Sequence, residues 1–244
     1  MTEIFTIPQS AQNLRIVAHR GTTVFAPENT LASFCYAGKR HAWAIETDLR
    51  YTRDGAIVCV HNETVDAHWK ASGRVCDFTL AELRGMENRA AEAFDYPPEM
   101  LHIPTLHEYL AVCLRYGAIP FIEIKDDTVE ETVAALRTLD MERRAVISSG
   151  SMAHLRRTRE LSDDLYIHHI FTNEEAAREM AALGNSGVAW NYPDLDKVPE
   201  GLIDRTHAMG LGVCLRAGDT TEAVQRMLAM GLDYIPSNRM YKIL

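Results

Sequence analysis

The chain has no pair of cysteines at C-x-x-C spacing, and its five cysteines, Cys35, Cys59, Cys76, Cys113 and Cys214, are an odd number scattered over 244 residues. That argues against a disulfide framework and for reduced thiols in a cytoplasmic setting. Nowhere is there a run of about 18 uninterrupted apolar residues, the length that crosses a bilayer, and Met1 to Asn13 lack the basic-then-apolar order of a signal peptide. No integral membrane contact is therefore expected. Positive charge is also scarce: 25 Lys and Arg against 34 Asp and Glu leave a net charge of -9. Nucleic-acid and anionic-membrane surfaces need clustered cations, so an anionic substrate would have to meet a few locally focused positive groups. Neither an internal repeat nor a low-complexity tract is visible.

What is present is alternation. Short β-rich runs lie near Arg15–Ala18, Ala44–Leu49, Ile119–Ile124, Ala145–Ser148, Leu165–His169, Gly187–Trp190, Gly212–Leu215 and Tyr234–Ile235. Amphipathic helical patterns fall between them, near Glu28–Arg40, Leu106–Tyr116, Val129–Leu139, Met152–Leu161, Glu174–Leu183, Pro199–Met209 and Thr221–Met230. Asn29-Thr30, Ser151 and Thr172-Asn173 are helix-start signals, and Gly117, Gly184, Gly210 and Gly231 stand where helices should stop. Eight strands with crossover helices in a chain near the typical ~250 residues predict a (β/α)8 TIM barrel, with an open doubly wound sheet as the runner-up. After the extended run Ala56–His61, residues 62–103 are too long and irregular for a simple βα loop. They are expected to form a small insertion after the second strand, at the rim of one domain spanning 1–244.

Strand parity then selects the chemistry. Side chains two apart on a strand share a face, so Glu46 points with Asp48 and Glu123 with Lys125. Their neighbours Ile45, Leu49, Ile122 and Ile124 are apolar and suit the helix-facing side, which directs the charged pairs into the barrel. Three buried carboxylates without compensation would cost several kcal/mol each or take up protons. A divalent cation removes that problem, and an all-oxygen ligand set favours Mg2+ or Ca2+ over Zn2+. The bland alternative is a set of surface salt bridges.

Of ten histidines, His19 and His61 stand out because each closes an extended run next to these strands. Cleaving a P–O bond needs a base for the attacking oxygen and an acid for the departing alkoxide, and imidazole serves either role. The metal, Arg20 and Lys125, set against three carboxylates, leave about +1, which balances a phosphodiester monoanion. Arg20 and Lys125 each have a rival reading as structural ion-pair partners of the barrel acids. Glu28 and Asn29 are read as bracing the metal or substrate from behind, and Thr30 as a helix cap.

These residues resemble the glycerophosphodiester phosphodiesterase family. The likeness rests on His19-Arg20-Gly21, Pro27-Glu28-Asn29-Thr30, Glu46-Thr47-Asp48, Asp54-Gly55 through His61, Ile103-Pro104-Thr105-Leu106 and Glu123-Ile124-Lys125. Gly231 through Ile235 and Ser237-Asn238-Arg239 look like the family's closing strand. The resemblance implies a TIM barrel that hydrolyses glycerophosphodiesters to sn-glycerol 3-phosphate and an alcohol. It makes Glu46, Asp48 and Glu123 the metal ligands, His19 and His61 the acid/base pair, and Arg20 and Lys125 the phosphate contacts. Another phosphodiesterase of the superfamily, phospholipase D-like or inositol-phosphodiester-cleaving, is the nearest alternative, and a phosphate-ligand-binding barrel without turnover the more distant one. An amidohydrolase barrel is disfavoured because its first strand commonly ends His-x-His.

Three departures stand against the family pattern. His61 is followed by Asn62 where His-Asp is usual, the Arg-Thr expected a few residues later is absent from Val65–Trp69, and Arg216-Ala217-Gly218-Asp219 occupies the place of Trp-Thr-Val-Asn. Arg216 exchanges an apolar wall for an anion-binding fork, so it is expected to contact substrate and to favour a polar or anionic alcohol moiety.

Overall fold

The structure is a computed structural model that describes residues 5–7, 15–215, 218–239 and 241–243. Eleven strands occur among them. After β1 (Phe5–Ile7) come β2 (Ile16–Ala18), β3 (Ala44–Tyr51), β4 (Ile57–Cys59) and β5 (Ile119–Ile124), then β6 (Val146–Ser149), β7 (Tyr166–Thr172) and β8 (Ser186–Trp190), and finally β9 (Gly212–Cys214), β10 (Ile235–Ser237) and β11 (Tyr241–Ile243). Eight of them pair in parallel in the order β10-β2-β3-β5-β6-β7-β8-β9, the predicted barrel. Its seam between β9 and β10 is bridged by Asp233 N–H to Val213 C=O at 3.0 Å and Gly218 N–H to Pro236 C=O at 2.8 Å. Three strands lie outside the predicted set of eight: β1 pairs in parallel with β11, and β4, from the second extended run, folds back antiparallel on β3.

Helices wrap the barrel: α1 (Leu31–Lys39), α3 (Leu106–Tyr116), α4 (Val129–Thr138), α5 (Met152–Leu161), α6 (Glu174–Leu183), α7 (Leu202–Ala208) and α8 (Thr221–Ala229), with the short α2 (Leu80–Arg84) in the insertion. The first begins three residues later than the pattern of apolar residues suggests. Asn29 adopts φ 50, and Thr30 accepts from the Ser33 N–H while the Ser33 hydroxyl accepts from the Thr30 N–H, a reciprocal cap that sets the start. The seventh helix is likewise shorter than expected, beginning only after Gly201 at φ 69. Asn173 caps α6 as read from the sequence, and Gly117 ends α3 in the left-handed region at φ 70, which costs a glycine little.

Alternation along each strand divides the core into two shells. Ile45, Leu49, Ile122, Ile124 and Ile147 face outward and pack with Phe34, Tyr109, Leu110 and Leu136 of the helices. Inside the barrel, Val17, Ala44, Phe121, Val146, Cys214 and Tyr234 form a separate apolar plug. Tyr166 and Tyr234 fill so much of the interior that β8 and β9 must carry glycines: a Cβ on Gly187 or Gly212 would collide with the Tyr166 hydroxyl. One outer side chain also reaches into the sheet. The Tyr109 hydroxyl donates to the Ile45 C=O at 2.6 Å and accepts from the Phe121 N–H at 3.0 Å, joining β3 to β5.

The insertion carries a small core of its own. Val65, Trp69, Val75 and Leu83 bury themselves against Val58, Val60 and Ile103, so residues 62–103 are a packed layer on the barrel rim. Its helix, α2, ends at Arg84 before Gly85.

Candidate active site

The turn after β2 builds the first half of the site. Arg20 and Gly21 both have positive φ, 53 and 83, and a Cβ on Gly21 would meet Ser33 at 2.5 Å, so only glycine fits there. This backbone path turns the Arg20 N–H onto the Glu46 carboxylate at 2.8 Å. It also exposes the Arg20 C=O to the Asn29 N–H at 3.1 Å and the Ser33 hydroxyl at 3.1 Å. The Arg20 side chain reaches Glu28 at 2.9 Å and lies 3.6 Å from Asp48. It therefore has the ion-pair partners of the rival reading while still lining the cleft.

β3 and β5 supply the second half. Asp48 and Glu123 are register partners, and Glu46, Asp48 and Glu123 each place an oxygen so that all three lie within 4.8 Å of one another. Asn29 braces this group from behind, donating to Asp48 at 3.1 Å and accepting from the Thr47 hydroxyl at 2.8 Å. Lys125 lies 2.5 Å from Glu123 and 3.3 Å from Asp48.

The charges are strongly perturbed. Burial, with the neighbouring charges of Asp48 and Glu123, pushes the Glu46 carboxyl well above its ordinary range. Burial and the Asp48 charge push Glu123 up to about 7. Burial also opposes ionisation of Asp48, but the charges of Lys125, His61 and Arg20 outweigh it and hold Asp48 below its ordinary value. Asp48 Oδ1 is nevertheless fully buried and accepts no hydrogen bond, although the Lys125 ammonium lies 3.3 Å from it. A buried carboxylate oxygen left without a hydrogen bond, beside two acids that resist ionisation, fits a cation-binding cluster, and the hard oxygen donor set suits Mg2+ or Ca2+.

His19 and His61 line the same cleft of about 300 Å3, at the carboxy-terminal end of the barrel strands, together with Arg20, Glu46, Glu123 and Lys125. Both imidazoles lie below the ordinary 6.5, chiefly through burial. Each Nδ1 meets an amide oxygen: His19 that of Asn238 at 2.7 Å and His61 that of Asn62 at 2.9 Å. Arg50 clasps the His61 C=O through two nitrogens, at 3.0 and 3.1 Å, while pairing with Asp126 at 2.9 Å. The Asn62 departure thus removes a charge beside His61 and keeps an acceptor for its ring.

The roles of Asn238 and Arg50 were not found from the sequence, whereas His168 is one of the histidines for which a core or solvated place was expected. His168 lies on the cleft floor, between the Ser148 hydroxyl at 3.1 Å and the Cys214 thiol at 3.7 Å. Burial drives it down to about 3, so it is a neutral packing residue, as its inward parity on β7 would have suggested. The opposite side of the cleft is apolar, lined by Ile170, Phe171, Trp190 and Leu215. Phe171 is 65% exposed and has φ 53, a strained conformation for an aromatic residue. Arg216 lies outside the described residues, directly after Leu215.

Residues 19–242 match the sequence model of the Glycerophosphoryl diester phosphodiesterase family. The chain belongs to this family. Glycerophosphodiester phosphodiesterase 1 of Bos taurus is 39% identical over 128 residues, 52% of this chain but only 38% of that protein's length. A glycerophosphodiester phosphodiesterase of Caldanaerobacter subterraneus subsp. tengcongensis is 29% identical over 226 residues, covering 90% of this chain and 92% of its own. Among solved structures, glycerophosphodiester phosphodiesterase from Agrobacterium tumefaciens str. C58 superposes with a TM-score of 0.77 at 26% identity, covering 93% of this chain and 97% of that one. The family match and the barrel topology agree with the resemblance drawn from the motifs.

Proposed function

We propose that the chain hydrolyses glycerophosphodiesters to sn-glycerol 3-phosphate and an alcohol, with one Mg2+ or Ca2+ bound by Glu46, Asp48 and Glu123. The observation that carries this reading is convergence: two imidazoles, two cations and two of the clustered acids, Glu46 and Glu123, line one cleft in a member of a diesterase family, with Asp48 buried beside those acids. A bound divalent ion would supply positive charge to the phosphoryl oxygens. Arg20 and Lys125 add charge on the same anion, and their existing pairs with Glu28, Asp48 and Glu123 hold them in place for it. His19 and His61 transfer the two protons, one from the attacking oxygen and one to the departing alkoxide. Their lowered pKa values keep neutral imidazole available near pH 7, as the accepting step requires.

Arg216 follows the cleft-lining Leu215, and we assign it to the alcohol moiety, where its guanidinium favours a polar or anionic group. Five free cysteines support a reducing, cytoplasmic setting, and no described helix is long and apolar enough to cross a membrane.

The test is release of glycerol 3-phosphate from glycerophosphocholine, glycerophosphoglycerol and glycerophosphoinositol by the purified protein. Activity lost in EDTA and restored by Mg2+ or Ca2+ is the expected result, and full activity after exhaustive chelation contradicts the metal assignment. A ranking of the three substrates that is unchanged in Arg216→Trp would remove Arg216 from recognition.

A further inference from the structure

The amide partners of the two histidines are not equivalent. Asn238 stands between His19 and Asp219: its Nδ2 donates to Asp219 Oδ2 at 2.7 Å, and its Oδ1 lies 2.7 Å from His19 Nδ1. The backbone N–H of Asn238 donates to the other carboxylate oxygen, Asp219 Oδ1, at 2.8 Å. A carboxylate only accepts, so the side of the Asn238 amide facing Asp219 must be its NH2 group and the side facing His19 must be its oxygen. An amide oxygen also only accepts, so the His19 nitrogen facing it must carry the proton. Backbone contacts keep the parts in register: the His19 N–H donates to the Ser237 C=O at 2.9 Å and the Thr23 N–H to the Asn238 C=O at 3.2 Å.

We propose that Asp219 is a positioning residue which, through the Asn238 amide, fixes a proton on His19 Nδ1 and leaves Nε2 as the nitrogen that exchanges protons with substrate. The catalytic consequence rests on the role given to His19 above, whereas the polarity of the relay does not. His61 has no such wiring among the described residues, where no carboxylate stands behind its amide partner Asn62.

The relay makes a sharp prediction for an isosteric change. In Asp219→Asn the backbone N–H of Asn238 still requires an oxygen at the Oδ1 position, so the new NH2 group must face the Asn238 side chain. The Asn238 amide must then turn over and present its own NH2 to His19, which moves the imidazole proton from Nδ1 to Nε2. The double substitution D219N/N238D reverses this, because a carboxylate at 238 accepts from both neighbours and returns the proton to Nδ1.

The experiment is long-range 1H–15N NMR at neutral pH on the full chain labelled with 15N-histidine, the His19 resonance being identified by its loss in His19→Ala, alongside steady-state kinetics on glycerophosphocholine. The expected result is an Nδ1–H ring in the parent, an Nε2–H ring in D219N and Nδ1–H again in D219N/N238D. In D219N, kcat should fall on the order of 10- to 100-fold while KM changes by less than about twofold, with recovery in the double variant. A His19 that stays Nδ1-protonated in D219N, or a ring that inverts without loss of kcat, overturns the proposal. Should D219N fail to fold, Asn238→Ala cuts the relay at its middle. There the proton should distribute over both nitrogens, and a ring still wholly Nδ1-protonated overturns the proposal equally. If no glycerophosphodiester is cleaved, the reading of the activity fails, and the tautomers alone decide the relay.

Discussion

Glu123→Gln should make the metal-free protein more stable at high pH while abolishing its response to divalent ions. Burial and the Asp48 charge raise Glu123 from an ordinary 4.5 to about 7, even with the Lys125 ammonium 2.5 Å from its Oε1. A carboxyl raised in this way binds its proton more tightly in the folded than in the unfolded chain. Its contribution to stability is therefore fully present below pH 4.5, is lost as pH rises through about 7, and is absent above that. At ~1.4 kcal/mol per pH unit the loss is on the order of 3 kcal/mol. With the side chain only 15% exposed, solvent screening trims little of it. Glutamine mimics the protonated acid at every pH. Urea unfolding of parent and variant in EDTA should give equal stabilities near pH 4 and a variant more stable by ~3 kcal/mol near pH 8. Comparing the two proteins cancels the histidines, which titrate in both. Adding Mg2+ or Ca2+ at about pH 8 should stabilise the parent and leave the variant unchanged. A stability difference independent of pH, or a variant less stable than the parent at the higher pH, would refute the argument that this carboxylate is held against its will.

Further tests address other parts of the site and fold. His19→Ala and His61→Ala should each lower kcat by a factor on the order of 10² to 10⁴, read by release of glycerol 3-phosphate, and a near-parental rate would reassign that histidine. Tyr109→Phe should cost ~2 kcal/mol in chemical denaturation, because it strips a partner from the buried Ile45 C=O and the Phe121 N–H; an unchanged midpoint would mean that the two strands close up directly. Arg50→Met should lower kcat by releasing the His61 C=O from its two-nitrogen clasp, and retained turnover would show that the adjoining β4 strand positions His61 unaided.

The parts of the site legible in the sequence are those encoded by local periodicity. Two-residue spacing placed Glu46 with Asp48 and Glu123 with Lys125, and the apolar residues between them identified the outward face correctly. The rim position of His19 and His61 followed from where their strands end. The contact of Asn238 with His19 was invisible because it spans 219 residues of chain, and no local pattern marks a contact made only when β10 closes on β2. Arg50 escaped notice for a different reason: its parity on β3 groups it with Asp48, but a cation at a strand end has no signature that separates a clasp on a carbonyl from a solvated charge. The pairing of β4 with β3 was missed because an extended run before a long insertion reads the same whether it joins the barrel or folds back on it. The late start of α1 turns on the left-handed Asn29, whose conformation is imposed by its bonds to Asp48 and Thr47 rather than by its neighbours in sequence.

The central claim is that one divalent cation lies among Glu46, Asp48 and Glu123, in reach of both imidazoles. An anomalous-difference map from crystals of the full chain grown with Ca2+ tests it most directly. The account predicts one peak bounded by carboxylate oxygens of all three residues at about 2.3 to 2.6 Å. A map from catalytically active protein with no peak there, or with its peak elsewhere in the barrel, would contradict it.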